Sequence, residues 1–166
     1  MRLSSVQLCL CALMAALLAL CSQIQLPLPP IPINLALLAV YLCGAVLGKR
    51  LGTLAVAVYL LMGLCGLPVF AGFQGGPGAL FGNTGGYLLG YLACAFLTGL
   101  WPHRRLMAMG LGLLACYSLG TLWYMLLTHT PLWASLTACV LPFIPGDMVK
   151  IALAALLARR IKKAYG

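Results

Sequence analysis

Asp147 and Lys150 are the residues of this chain best suited to chemistry inside an apolar protein. Asp147 is the sole side-chain acid in 166 residues, which contain no Glu. Lys150 is the one basic residue that does not lie at the end of an apolar run. Three positions apart, the two share a helix face. An ionised side chain at the centre of a bilayer costs roughly 2.5–3.5 kcal/mol on insertion scales, so such groups face a protein interior or a wet cavity. One reading is a mutually neutralising pair that only locks a bundle. The other is the polar floor of a ligand site. Pro145-Gly146, just ahead, favours the second. A chain break there exposes backbone N–H groups and the positive end of a helix dipole within the membrane, as discontinuous helices do in transporters.

A second candidate is the Gly-rich stretch 72–87, with Gly72, Gly75, Gly76, Gly78, Gly82, Gly85 and Gly86. Gln74, Asn83, Thr84 and Tyr87 give it polar tips, and Phe70, Phe73 and Phe81 flank it. No Lys-Ser/Thr follows, and the glycine spacing fits neither a P-loop nor a dinucleotide fingerprint. A floppy external linker and a folded lid over a site are both open, and the flanking aromatics favour the lid. Along the first apolar run, Ala12, Ala15, Ala16 and Ala19 make two overlapping Ala-x-x-x-Ala patterns, which let another helix approach closely. Packing within the same bundle explains them equally well.

The elements that must position these residues are membrane helices. The chain is 64% hydrophobic and 7% charged, against about 25% charged in soluble domains. Apolar runs cover approximately 4–25, 33–47, 51–71, 84–101, 106–127 and 147–163. They predict a single all-α integral membrane domain over 1–166 with six transmembrane helices. The intervening outer loops are 26–34, 72–83 and 128–146. Arg2 and the apolar stretch after it read as the first span. A cleaved leader before Cys21 would want a small residue where Leu20 stands.

Net charge is +9, with ten Lys and Arg. Nucleic-acid binding would need a basic stripe on a soluble scaffold. Here Arg2, Lys49, Arg50, Arg104, Arg105, Arg159, Arg160, Lys162 and Lys163 fall at every other helix end. The positive-inside rule then puts both termini in the cytoplasm. Asp147 lies twelve residues, about 18 Å, before Arg159, in the outer half of the membrane. The eight cysteines are scattered without a C-x-x-C pair and read as small apolar packing residues rather than metal ligands. The chain has no Walker motif and no hydrolase constellation, so it is not expected to be an enzyme, to bind a cofactor or metal, or to drive ATP-powered work alone.

Five segments resemble one family in order along nearly the whole chain. They are Pro30-Ile-Pro-Ile-Asn34, Gly66-Leu-Pro-Val-Phe-Ala-Gly72, Gly82-Asn-Thr-Gly-Gly-Tyr-Leu-Leu-Gly90, Gly120-Thr-Leu-Trp123 and Leu141-Pro-Phe-Ile-Pro-Gly-Asp-Met-Val-Lys150. The family is BioY, the biotin-specific S components of energy-coupling-factor transporters. The resemblance implies a six-helix S-component bundle in the cell membrane with a biotin pocket near the outer face, roofed by loops. It implies Asp147 and Lys150 as the polar pair on the ligand, with Asn83 and Tyr87 in a segment lining the same pocket. Gln74 and Thr84 join them as candidate substrate-binding residues. The Ala12/Ala15/Ala16/Ala19 face resembles the surface that docks on a transmembrane coupling subunit, itself joined to two ATPase subunits. Asn83, where many members carry Pro, and Asn34-Leu-Ala36 depart from the family pattern. The leading expectation is thus a biotin-binding subunit of an ATP-driven importer. The alternatives are a self-sufficient facilitator or channel for a small solute, and a structural membrane subunit without a ligand.

Overall fold

A capping box opens the first helix, α1 (Ser5–Gln23). Ser4 Oγ accepts from the Gln7 backbone N–H at 3.3 Å, and Gln7 Oε1 accepts from the Ser4 N–H at 3.0 Å. The computed structural model describes residues 4–26, 31 and 33–165, so Arg2 and the prolines at 27, 29, 30 and 32 lie outside the described residues. After α1 come two short antiparallel strands, β1 (Gln25–Leu26) and β2 (Ile33–Asn34), with Gln25 opposite Asn34.

The next element, α2 (Ala36–Leu64), joins two runs expected as separate helices. Its helical geometry is broken at one residue, Gly48, with φ 78° and ψ 177°. The halves double back there: a Cβ on Gly52 would collide with the Cys43 carbonyl and lie 2.9 Å from Gly44 Cα. In an unbroken helix those residues would be more than ten ångströms apart (about 1.5 Å per residue). The second half stops at Leu64, short of the expected residue 71. Gly66 turns to φ 95°, and Pro68 cannot continue a helix.

The segment after it contains one turn of helix, α3 (Pro77–Leu80), and leads to α4 (Gly85–Leu100) and α5 (Arg105–Thr128). The expected loop 128–146 instead holds a helix, α6 (Leu132–Cys139), and the last helix, α7 (Ile144–Tyr165), begins three residues before Asp147. Pro145 sits in the first turn of α7, where its missing N–H costs nothing. Asp147 in that first turn and Lys162 and Lys163 in the last complement the helix dipole.

Among the described residues, α1, α2 and α5 are long and apolar enough to cross a membrane. The α6–α7 pair, bent by 51° at its break, qualifies together, and α4 is a shorter apolar helix. Small residues bring these helices together. A Cβ on Gly90 would lie 2.9 Å from Cys116 Cα, and one on Gly112 would lie 3.0 Å from Cys94 Sγ, so α4 and α5 meet backbone to backbone. Gly44 lies equally close to α4, 2.8 Å from Thr98 Cβ by the same measure. Cys43, Cys94 and Cys116 are buried in this core beside Tyr41, Tyr59 and Met109. The expected packing role of these cysteines is therefore visible in the structure.

Candidate functional site

The residues that roof the site are held by α1. Gln23 Nε2 donates to the Val69 and Phe70 carbonyls at 3.1 and 3.0 Å, and Gln23 Oε1 accepts from the Phe73 N–H at 2.9 Å. Ser22 Oγ adds a bond to the Val69 carbonyl at 2.6 Å. Phe70 is buried, edge-on to Tyr59 with ring centroids 5.5 Å apart. Further along, Trp123 Nε1 donates to the Gly82 carbonyl at 3.0 Å and its ring lies near Phe81. The Gly-rich segment is thus folded, anchored on α1 at one side and on α5 at the other.

Beneath it lies a cavity of about 570 Å³. Its floor holds Asp147 and Lys150, only 2% and 6% exposed. Lys150 Nζ donates to Asp147 Oδ1 at 2.7 Å, and the Tyr117 hydroxyl donates to Oδ2 at 2.6 Å. Each carboxylate oxygen therefore has a donor from the protein. The carboxylate keeps capacity for further donors, and the ammonium keeps two N–H groups beyond the one it shares with Asp147. Aromatic walls rise around the pair: Tyr59 from α2, Phe70 from the roof, Tyr87 and Tyr91 from α4, Tyr117 from α5 and Phe143 from the α6–α7 break. Gln25 and Asn34 from the paired strands reach the same space.

All six residues expected to touch a substrate, Asp147, Lys150, Asn83, Tyr87, Gln74 and Thr84, line this one cavity. Tyr87 has its hydroxyl committed to the Cys139 carbonyl at 2.9 Å, so its ring faces the space while its oxygen ties α4 to α6. A volume of this size, mostly apolar with a few convergent polar groups, is that of a small-molecule site.

The sequence profile of the BioY family matches residues 1–166. The chain belongs to the BioY family. The biotin transporter BioY of Thermotoga maritima is 40% identical over 163 residues, covering 95% of this chain and 96% of that relative. The biotin transporter BioY of Rhodobacter capsulatus is 41% identical over 150 residues, covering 79% of this chain and 78% of its own. A crystal structure of the S-component for biotin from an ECF-type ABC transporter superposes with a TM-score of 0.88 at 29% identity, over 98% of this chain and 95% of that one. BioY proteins are membrane transporter components, not enzymes.

Within this BioY chain, Tyr117 had no role among the sequence expectations, nor did Tyr59, Tyr91 or Gln25. The chain has seven tyrosines, and Tyr41, also inside an apolar span, keeps its buried hydroxyl without a hydrogen-bond partner, so no sequence signal singles out Tyr117 as the partner of Asp147. The alanine face divides: Ala12 and Ala16 are exposed, whereas Ala15 is 1% exposed and Ala19 packs against the core. The expectation of one docking surface across all four is corrected at Ala15, which the bundle already covers, while Ala19 is only half-buried.

Proposed function

We propose that this chain is the biotin-binding subunit of an ATP-driven vitamin importer, capturing biotin from the outer side of the inner membrane. The observation that carries this reading is the Asp147–Lys150 pair, buried and oriented by Tyr117 at the floor of the cavity. Biotin's ureido ring offers two N–H donors and a carbonyl acceptor. An ionised Asp147 accepts from the first, and Lys150 donates to the second or to the carboxylate tail. The sulfur ring and aliphatic chain lie against the tyrosine and phenylalanine walls. An analogue that leaves this buried pair unmatched forfeits a large part of the binding energy.

The relatives named biotin transporter and the biotin S-component that shares the fold support the same reading. With Gly48 as a tight inner turn and α6–α7 as one broken span, the helices make six crossings with both termini in the cytoplasm. The S-component likeness supports assembly with a transmembrane coupling subunit and two ATPase subunits. Ala12 and Ala16 are the exposed part of the face offered to the coupling subunit. The facilitator alternative drew on glycine-rich faces, but Gly44, Gly86 and Gly90 are closed by Thr98, Trp123 and Cys116 of the same chain. The test is isothermal titration of detergent-purified protein, stripped of endogenous ligand, with biotin. Tight, near-stoichiometric binding is expected, and a folded protein that binds no biotin would refute the assignment.

A further inference from the structure

The other end of the bundle carries a second hollow of about 390 Å³, between the α4–α5 turn and α7. Its lining includes His103, Arg104, Arg105 and Arg159, together with Leu106 and Met107. Guanidiniums gathered round one hollow repel each other, and the chain supplies no side chain to neutralise them. Its one acid, Asp147, is engaged with Lys150 and Tyr117 twelve residues up α7 from Arg159. Arg105 is held in place, its Nε donating to the Pro102 carbonyl at 3.1 Å. Leu106 and Met107, 56% and 44% exposed, continue the hollow as an aliphatic flank.

We propose that this hollow seats the headgroup of an acidic phospholipid, with Arg104, Arg105 and Arg159 on the phosphate oxygens and acyl chain along Leu106 and Met107. The guanidinium fork matches phosphate geometry. Basic pockets between membrane helices favour anionic headgroups. A soluble anion would use the arginines alone, whereas a phospholipid engages both the arginines and the aliphatic flank. The hollow lies at the end of the bundle opposite the roofed cavity, so the lipid occupies a site separate from the one that takes the vitamin.

Native mass spectrometry of the full chain, released from micelles doped equally with phosphatidylglycerol and phosphatidylcholine, tests this. Phosphatidylglycerol should be retained preferentially, and its retention should fall about fivefold for each arginine removed in Arg104→Gln and Arg159→Gln. Arg160→Gln removes the same charge from a residue outside the lining and should leave retention unchanged. Circular dichroism checks that each variant folds. Arg104 and Arg159 are both exposed, so either variant carries the test if the other does not fold. Equal retention of the two lipids, or a loss in Arg160→Gln as large as in Arg159→Gln, overturns the site. Thermal stabilisation by inorganic phosphate equal to that by phosphatidylglycerol makes the occupant a free anion and overturns the lipid. Loss of coupling-subunit association in Arg104→Gln with lipid retention intact makes the face a protein interface instead.

Discussion

Asp147 has a donor on each oxygen before any ligand arrives, and that arrangement determines how its neighbours should respond to substitution. Asp147→Asn replaces an ionised acceptor with a neutral amide while leaving Lys150 buried without its counter-charge. Charge-assisted hydrogen bonds contribute about 1.5–3 kcal/mol, so biotin affinity should fall more than tenfold, as read by titration on protein of unchanged helical content. Tyr117→Phe removes the donor to Oδ2 and leaves the carboxylate less firmly aimed. It should weaken biotin binding by about tenfold alone, on the order of 1.4 kcal/mol, and add little in the Asp147→Asn background. Equal losses in both backgrounds would mean Tyr117 does not act through the carboxylate. Asp147 and Lys150 could be picked out from sequence because one is the only side-chain acid and the other the only Lys or Arg outside the basic clusters at alternate helix ends. Tyr117 could not be paired with them that way, because its partner is thirty residues distant and meets it only once α5 packs on α7.

At the scale of elements, charge and proline placement revealed most helix ends, but not how the chain turns between them. Lys49 and Arg50 mark a helix end in the sequence, yet a single residue makes the reversal, so one helical element doubles back on itself. Gly48 occupies a backbone region open essentially to glycine alone, and no atom lies within 4 Å of the place its Cβ would take. Gly48→Ala should therefore destabilise through backbone strain alone, by about 1–3 kcal/mol. Gly110 has equally open surroundings but lies inside α5 with no positive φ. Gly110→Ala should stabilise by roughly 0.5–1 kcal/mol, the ordinary helix-interior difference. Unfolding of both variants in mixed micelles measures the contrast, and shifts of the same sign would contradict the hairpin at Gly48. The α6 helix and the roof were legible only as loops. Their order comes from contacts with other elements, such as Gln23 to Val69 and Tyr87 to Cys139, which no local pattern encodes.

At the scale of the whole molecule, the cavity is built from every major part of the chain except α1 and α6. It draws on the paired strands, α2, the roof, α4, α5, the α6–α7 break and α7, while α1 holds the roof from outside. A ligand seated there touches elements far apart in sequence, so its binding energy should appear as resistance to global unfolding rather than as local ordering. Ligand at a hundred times its dissociation constant stabilises a single site by about 2.7 kcal/mol. For a chain of this length that corresponds to a rise in Tm of roughly 5–10 °C. Thermal denaturation in detergent, monitored by circular dichroism with and without biotin, reads it. Gly110→Ala should keep the full rise from its own baseline, because that residue lies outside the cavity lining. Asp147→Asn should lose about half of the rise or more at the same biotin concentration, since a tenfold weaker site keeps only about 1.4 kcal/mol of the stabilisation. An undiminished rise in Asp147→Asn would place the biotin elsewhere in the bundle. No rise in any variant would favour a structural subunit without a vitamin ligand, because a pocket that joins this many elements cannot be filled without stabilising them.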